Sequence, residues 1–133
     1  MRVLALDYGA ARTGVAVCDA TGTVARPLTV VERAGTPQGL QRVVAVVAEQ
    51  RPELIVVGLP VSLDGAEHAQ AREVRGFIAK LGQALDVPVV TYDERFTTTI
   101  ARQKGGRRPL DARAAAQILQ EYLDSHELGT TRP

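Results

Sequence analysis

Three carboxylates, Asp7, Glu94 and Asp111, stand where a predicted strand or helix begins or ends. Asp7 closes the apolar run Val3–Leu6, which has no alternating polar residue and is typical of a strand buried on both faces. An ionised carboxylate at such a place needs hydrogen bonds, an opposite charge or a metal ion. An alternative interpretation, in which Asp7 accepts backbone N–H groups of the turn at Gly9, stays open.

Three carboxylates that converge would offer hard oxygen ligands to Mg²⁺ or Mn²⁺, which keep several waters and accept phosphate oxygens as further ligands. Two such ions about 3.5 to 4 Å apart can activate a water and stabilise the leaving oxygen of a phosphodiester. The chemistry that Asp7, Glu94 and Asp111 suggest is therefore metal-assisted phosphodiester hydrolysis.

Basic residues surround the double glycine at positions 105–106, next to Asp111. They are Arg102, Lys104, Arg107, Arg108 and Arg113. Such a loop can follow a nucleic-acid backbone through phosphate contacts, which add affinity without reading sequence. The alternative is a solvated flexible loop. Because the formal net charge is only +1, any basic surface must be local.

The elements that must position these residues follow the order βββαβαβαα. The predicted strands are residues 2–6, 14–18, 24–31, 54–57 and 88–92, and the predicted helices are about 38–50, 67–85, 97–104 and 111–123. Pro27 cannot donate to a strand ladder, so the third strand is expected at the sheet edge.

This order predicts an α/β fold with a mixed five-stranded sheet and helices on both faces. The first three strands form an antiparallel meander, and right-handed crossovers place strand four beside strand one and strand five beyond it. The carboxyl ends of these three parallel strands open on one edge, where sites of open α/β sheets form. Asp7, the loop at Gly58 and the pair Asp93–Glu94 are expected to meet there.

Strands one and five are two strand spacings apart, about 10 Å, which favours the longer Glu94 over Asp93 as the residue facing Asp7. Structural alternatives remain for both residues. Asp93 would cap the next helix, and Glu94 would pair with Arg95 at the surface.

Asp111 heads a helical stripe with Ala115, Ile118 and Tyr122, which is expected to pack on the sheet. A carboxylate at the head of that stripe points toward the sheet rim. The alternative role for Asp111 is a helix cap or first-turn acid.

Composition and length indicate one globular domain: the chain has 133 residues, of which 45% are hydrophobic and 23% charged. No run approaches the ~20 apolar residues of a membrane span, and Met1-Arg2 leads straight into a strand, so we expect a cytoplasmic protein. The single cysteine, Cys18, leaves no internal disulfide or thiolate cluster. We expect a single domain over residues 1–124 and a disordered tail over 125–133.

Four groups of residues together resemble the motifs of the YqgF/RuvX family. They are Leu6-Asp7-Tyr8-Gly9 with Arg12 and Gly14–Val17, then Val57–Pro60 with Asp64-Gly65, then Asp93–Arg95 with Thr97-Thr98, and last Asp111–Ala115 with Ile118-Leu119 and Tyr122-Leu123. The resemblance covers nearly the whole chain. Two positions depart from the family pattern: this chain has Ala11 where Lys is frequent and Ser62 where Asn is frequent.

The resemblance implies an RNase H-like fold and a nuclease that matures the 5′ end of pre-16S ribosomal RNA or resolves Holliday junctions. It implies that Asp7, Glu94 and Asp111 are the metal-binding catalytic acids, with Mg²⁺ or Mn²⁺ as cofactor. It also implies that Arg12, Arg95, Arg107 and Arg108 bind phosphates. We add Lys104, which belongs to the same basic loop, to this set.

Other classes of protein stay open at this point. The turn Asp7-Tyr8-Gly9 between two strands also resembles the phosphate hairpin of actin and Hsp70-like ATP-binding domains, although those proteins use two such domains. A non-catalytic RNA-binding module would not need all three acids. A junction resolvase is expected to be a two-fold homodimer, and the apolar helix faces are compatible with a monomer or a dimer.

Overall fold

A computed structural model describes residues 1–60, 69–93 and 112–126 of the chain. Its strands are β1 (Val3–Asp7), β2 (Arg12–Cys18), β3 (Ala25–Glu32), β4 (Leu54–Leu59) and β5 (Val89–Asp93). Its helices are α1 (Pro37–Gln50), α2 (Ala69–Ala84) and α3 (Arg113–His126). The predicted helix 97–104 and the basic loop after it lie outside the described residues.

The strands form one five-stranded sheet in the order β3-β2-β1-β4-β5. β1 pairs antiparallel with β2 and parallel with β4, while β4 pairs parallel with β5, and β2 pairs antiparallel with β3. The predicted mixed sheet and its strand order are confirmed. Pro27 lies on β3 opposite Ala16, at a register shift. β3 is an edge strand, as expected because proline has no N–H to donate to a neighbouring strand.

Alternation along the strands sends side chains to two separate cores. On one face Leu4, Leu6, Val15 and Val17 pack with buried residues of α1 and α2, among them Val43, Val47, Val74, Phe77 and Leu81. On the other face Val3, Ala5, Ala16 and Cys18 pack with α3 residues, namely Ala115, Ile118, Leu119 and Leu123. Helices therefore cover both faces, as predicted.

Gln120 ties α3 to the segment that leads into β3. Its Oε1 accepts the N–H of Ala25 at 2.9 Å and its Nε2 donates to the carbonyl of Thr23 at 3.0 Å. Ala25 pairs with Cys18, whose Sγ accepts the N–H of Val3, so this anchor lies where β1 begins. The middle of α3 is therefore tied to the start of β3.

The limits of the last helix differ from the prediction. α3 begins at Arg113 rather than near residue 111, and it continues to His126 rather than ending near Leu123. Ser125 and His126, which the sequence analysis assigned to the tail, are thus helical, while residues 127–133 lie outside the described part. In the ranges that the structure covers, no helix is both long and apolar enough to cross a membrane.

Candidate active site at the carboxyl edge of the sheet

Asp7 ends β1 as its one residue that is not fully buried. Because side chains alternate along a strand, Asp7 shares a face with Val3 and Ala5, the face that α3 covers. It pairs with Gly14 of β2, and because glycine has no side chain, no β2 side chain lies directly beside Asp7 at this pair. The carboxylate therefore lies at the rim of the sheet, on the face that α3 covers.

Gly58 of β4 lies next to Asp7 across the parallel pairing, one residue beyond the pair Leu6 and Val57. On its far side Gly58 is paired with Tyr92 of β5. Glycine has no side chain, so no β4 side chain stands on this face between Asp7 and the end of β5, about 10 Å away.

Asp93, the last residue of β5, is turned away from Asp7. It pairs with Leu59, which belongs to the core under α1 and α2, whereas Val90 and Tyr92 pack on the α3 side. Alternation thus puts Asp93 on the opposite face from Asp7. Its neighbours Glu94 and Arg95 lie outside the described residues.

The stripe predicted behind Asp111 packs against the sheet. Ala112 is 5% exposed, and both Ala115 and Ile118 are completely buried. Tyr122 meets Tyr92 of β5 edge to face, with ring centroids 6.0 Å apart. Asp111 itself lies outside the described residues, immediately before this buried start of α3.

Arg12 is exposed at the same rim, as the first residue of β2 opposite Glu32. The turn before it is tight, because a Cβ on Gly9 would lie 2.5 Å from the Arg12 carbonyl oxygen. Thr13, fully buried, places its Oγ1 3.4 Å from the N of Gly9. The turn therefore holds Asp7 and Arg12 at one edge.

The complete set of predicted site residues is not brought together by the described part of the chain. Asp7 and Arg12 share the rim, while Glu94, Arg95, Lys104, Arg107, Arg108 and Asp111 lie outside it. Within residues 1–60, 69–93 and 112–126, no group of three or more His, Cys, Asp or Glu side chains is placed to hold a metal ion. Among the described residues, Asp7 offers a divalent cation one half-buried carboxylate at the rim, an oxygen donor of the hard kind that Mg²⁺ and Mn²⁺ prefer.

Sequence reasoning missed a pocket of about 360 Å³ on the other side of the rim, facing α1 and α2. The residues around it include Tyr8, Arg33, Thr36, Glu73, Phe77 and Lys80. Tyr8 stacks on Phe77 at 4.5 Å, and burial together with the Glu73 carboxylate raises the pKa of its hydroxyl. The sequence signal was slight: Phe77 and Lys80 share a face of α2 by their spacing.

Comparison with known proteins gives a consistent result. The model of the family RuvX, described as Holliday junction resolvase, matches residues 1–125. A relative from Trichormus variabilis named "Putative pre-16S rRNA nuclease" is 41% identical over 91% of this chain and 86% of its own. Relatives of the same name from Thermoanaerobacter pseudethanolicus and Anaeromyxobacter sp. are 34% and 42% identical, covering 96% and 93% of this chain and 99% and 97% of their own.

Among solved structures, RuvC of T. thermophilus in complex with a Holliday junction substrate matches with a TM-score of 0.64 at 23% identity, over 100% of this chain and 99% of its own. The Fowlpox virus Holliday junction resolvase matches with a TM-score of 0.53 at 13% identity, over 94% of this chain and 99% of its own. At such identities the likeness concerns the fold, which is RNase H-like as the motifs implied.

Proposed function

This chain belongs to the RuvX family, and on that premise we propose that it is a metal-dependent endonuclease that hydrolyses phosphodiester bonds of structured nucleic acid. The observation that carries the proposal is the position of Asp7. It is a carboxylate at the end of a buried strand, beside the side-chain-free Gly58 and on the face that α3 covers.

We propose Asp7, Glu94 and Asp111 as the metal-binding catalytic acids. The alternation of side chains along β5 supports Glu94 over Asp93. Tyr92 lies on the face of Asp7, so a residue two positions later would lie on that face too if the alternation continued. The face that α3 covers supports Asp111, because Asp7 lies on that face and Asp111 precedes α3 by two residues.

A bound Mg²⁺ or Mn²⁺ would supply an activated water and charge neutralisation at the leaving oxygen. Asp7, half-buried, would hold its carboxylate oxygens in one orientation at the rim. Arg12, exposed beside it, would bind a phosphate next to the cleaved one. We assign the same phosphate-binding role to Arg95, Lys104, Arg107 and Arg108.

We propose the 5′ end of pre-16S ribosomal RNA as the substrate, with ribosome biogenesis in the cytoplasm as the setting, because curated relatives over 30% identical carry the name of that nuclease. The second candidate is resolution of Holliday junctions, which the description of the matching family favours. A non-catalytic RNA-binding module is the reading to be tested against both.

The test is cleavage of two labelled substrates, a 5′-extended 16S precursor RNA and a four-way DNA junction, with Mg²⁺, Mn²⁺ or a chelator. We expect cutting of the precursor that needs a divalent metal and falls about 1000-fold in Asp7→Asn, equivalent to about 4 kcal/mol of transition-state stabilisation. Cutting of the junction at symmetric positions would favour resolution instead.

Asp86→Asn is the matched control, since it makes the same chemical change at an exposed residue just before β5, away from the rim. It should cut like the wild type. If Asp7→Asn cuts as well as Asp86→Asn, or if neither substrate is cut with any metal, the proposal is wrong and a binding module is favoured.

A further inference from the structure

The pocket on the α1 and α2 side of the rim is unused by the acids, and we propose that it binds one unpaired nucleotide of the substrate strand, beside the bond that is cut. This inference rests on the proposed function and adds to it. It means that the enzyme acts on a strand that is locally single rather than on a continuous duplex.

The shape of the pocket suits a single nucleotide. Its volume of about 360 Å³ lies at the lower end of the range for small-ligand pockets and cannot admit a double helix. One wall is aromatic: Tyr8 is partly exposed, and the buried Phe77 backs it in a stacked arrangement with an interplanar angle of 28°. A fixed aromatic wall is the common device for holding an unstacked base.

The charges around the pocket suit a phosphate at one end. Arg33 and Lys80 are both exposed and both line it, and Lys80 is held in place as its Nζ donates to the Gly35 carbonyl at 3.0 Å. Glu73 lines the same pocket near the Tyr8 hydroxyl. A carboxylate repels phosphate but accepts hydrogen bonds from a base amino group or a sugar hydroxyl, so the arrangement orients a nucleotide rather than a bare anion.

The pocket and the acid Asp7 share one turn of the chain. Tyr8 follows Asp7 directly, and alternation sends the two side chains to opposite faces of the sheet. Ala10 of the same turn also lines the pocket, and the N–H of Arg33 donates to the Ala11 carbonyl at 2.9 Å. A strand that crosses the rim at Asp7 would therefore pass close to the pocket.

Gly76 offers a test that leaves the fold alone. It lines the pocket from α2, and a Cβ added there would meet no atom within 4 Å. Gly76→Leu should fill the pocket. Gly82→Leu is the matched control, because Gly82 lies on the same helix, is equally open, and does not line the pocket.

The measurement is binding of a fluorescent 12-nucleotide RNA and of its blunt duplex, with chelator present so that nothing is cut. We expect Gly76→Leu to weaken binding of the single strand about tenfold, the scale of one lost base-stacking contact, and to change duplex binding less than twofold. Gly82→Leu should bind both like the wild type.

The salt dependence tests the phosphate contact separately. Arg33 has φ of 49°, a left-handed conformation that asparagine tolerates, so Arg33→Asn removes the charge without forcing the backbone. The slope of log K against log salt for the single strand should fall by about 0.7, the value for one lost phosphate contact. A residue with a purely structural role would leave that slope unchanged.

Two outcomes would overturn the inference: single-strand binding by Gly76→Leu equal to that by Gly82→Leu, or equal losses for strand and duplex. Neither outcome touches the proposed nuclease, which stands or falls on cleavage by Asp7→Asn. Conversely, loss of single-strand binding in Gly76→Leu would support the pocket even in a protein that cuts nothing.

Discussion

Asp7 shows how one polar residue can be held at the end of an apolar strand. The four residues before it in β1 are completely buried, and Asp7 lies at the rim, where its carboxylate is only half-buried. The tight contact of Gly9 with the Arg12 carbonyl then returns the chain into β2. The position of the Asp7 carboxylate therefore depends on the close backbone contact in the turn that follows it.

A second close approach joins the pocket to α1. Gly39, buried in the first turn of α1, lies so near the loop after β3 that a Cβ on it would clash with the carbonyl oxygen of Arg33. That carbonyl also accepts the N–H and the hydroxyl of Thr36, the residue that caps α1. The loop carrying Arg33 is thus fixed against the helix.

We predict that Gly39→Ala lowers the free energy of unfolding by about 3 kcal/mol, since backbone must move to admit the methyl group. The measurement is the urea unfolding midpoint. Gly82→Ala is the control: with open space around its Cβ, it should raise stability by about 0.5 to 1 kcal/mol through helix propensity. Equal stability of Gly39→Ala and wild type would contradict the close contact.

At the scale of elements, α3 forms half of one core and begins two residues after Asp111, the proposed third acid. Its apolar stripe packs on β1, β2 and β4, and the side chain of Gln120 ties it to the segment leading into β3. Since Asp111 precedes α3 by two residues, any shift of this helix would move the proposed third acid.

We predict that Gln120→Ala costs about 1 to 2 kcal/mol of stability, because the N–H of Ala25 and the carbonyl of Thr23 both lose a partner. We also expect it to lower kcat for cleavage several-fold at saturating metal, through the looser position of Asp111. Thermal unfolding and steady-state cleavage measure the two effects. Gln83→Ala, at an exposed position of α2, should change neither.

At the scale of the whole molecule, the charge balance leaves little long-range attraction for nucleic acid. With a formal net charge of +1, affinity must come from local groups such as Arg12 at the rim and Arg33 and Lys80 at the pocket. These groups belong to one chain and lie at one edge of its sheet. A junction cutter would need two active sites in a two-fold dimer.

We predict that precursor RNA is cut by single chains acting independently. In mixtures of wild type and Asp7→Asn at constant total protein, the cleavage rate should fall linearly with the wild-type fraction. An obligate dimer that needs two active sites would give a rate that follows the square of that fraction. Such curvature would contradict the prediction and favour symmetric cutting of a junction.

Local pattern and chain order were enough to predict most of the architecture. The unbroken apolar run of β1 predicts a central strand, Pro27 predicts an edge, and the spacing of Val74, Phe77 and Leu81 predicts the buried face of α2. The right-handed crossover then yields the observed strand order. These features follow from short-range sterics and burial, which the sequence states directly.

For the candidate site, the sequence by itself determined which residue types are available and that Asp7 and the end of β5 share an edge. Only the tertiary structure decided which face of the sheet each residue lies on. Asp7 lies on the face that α3 covers and Asp93 on the other face, and these faces can be assigned only once the packing of the helices is known. It also decided the pocket, since Tyr8, Arg33 and Lys80 are far apart in the chain and meet only through packing of α1 and α2 on the sheet. Such contacts between distant residues are set by how whole elements pack, which no local pattern encodes.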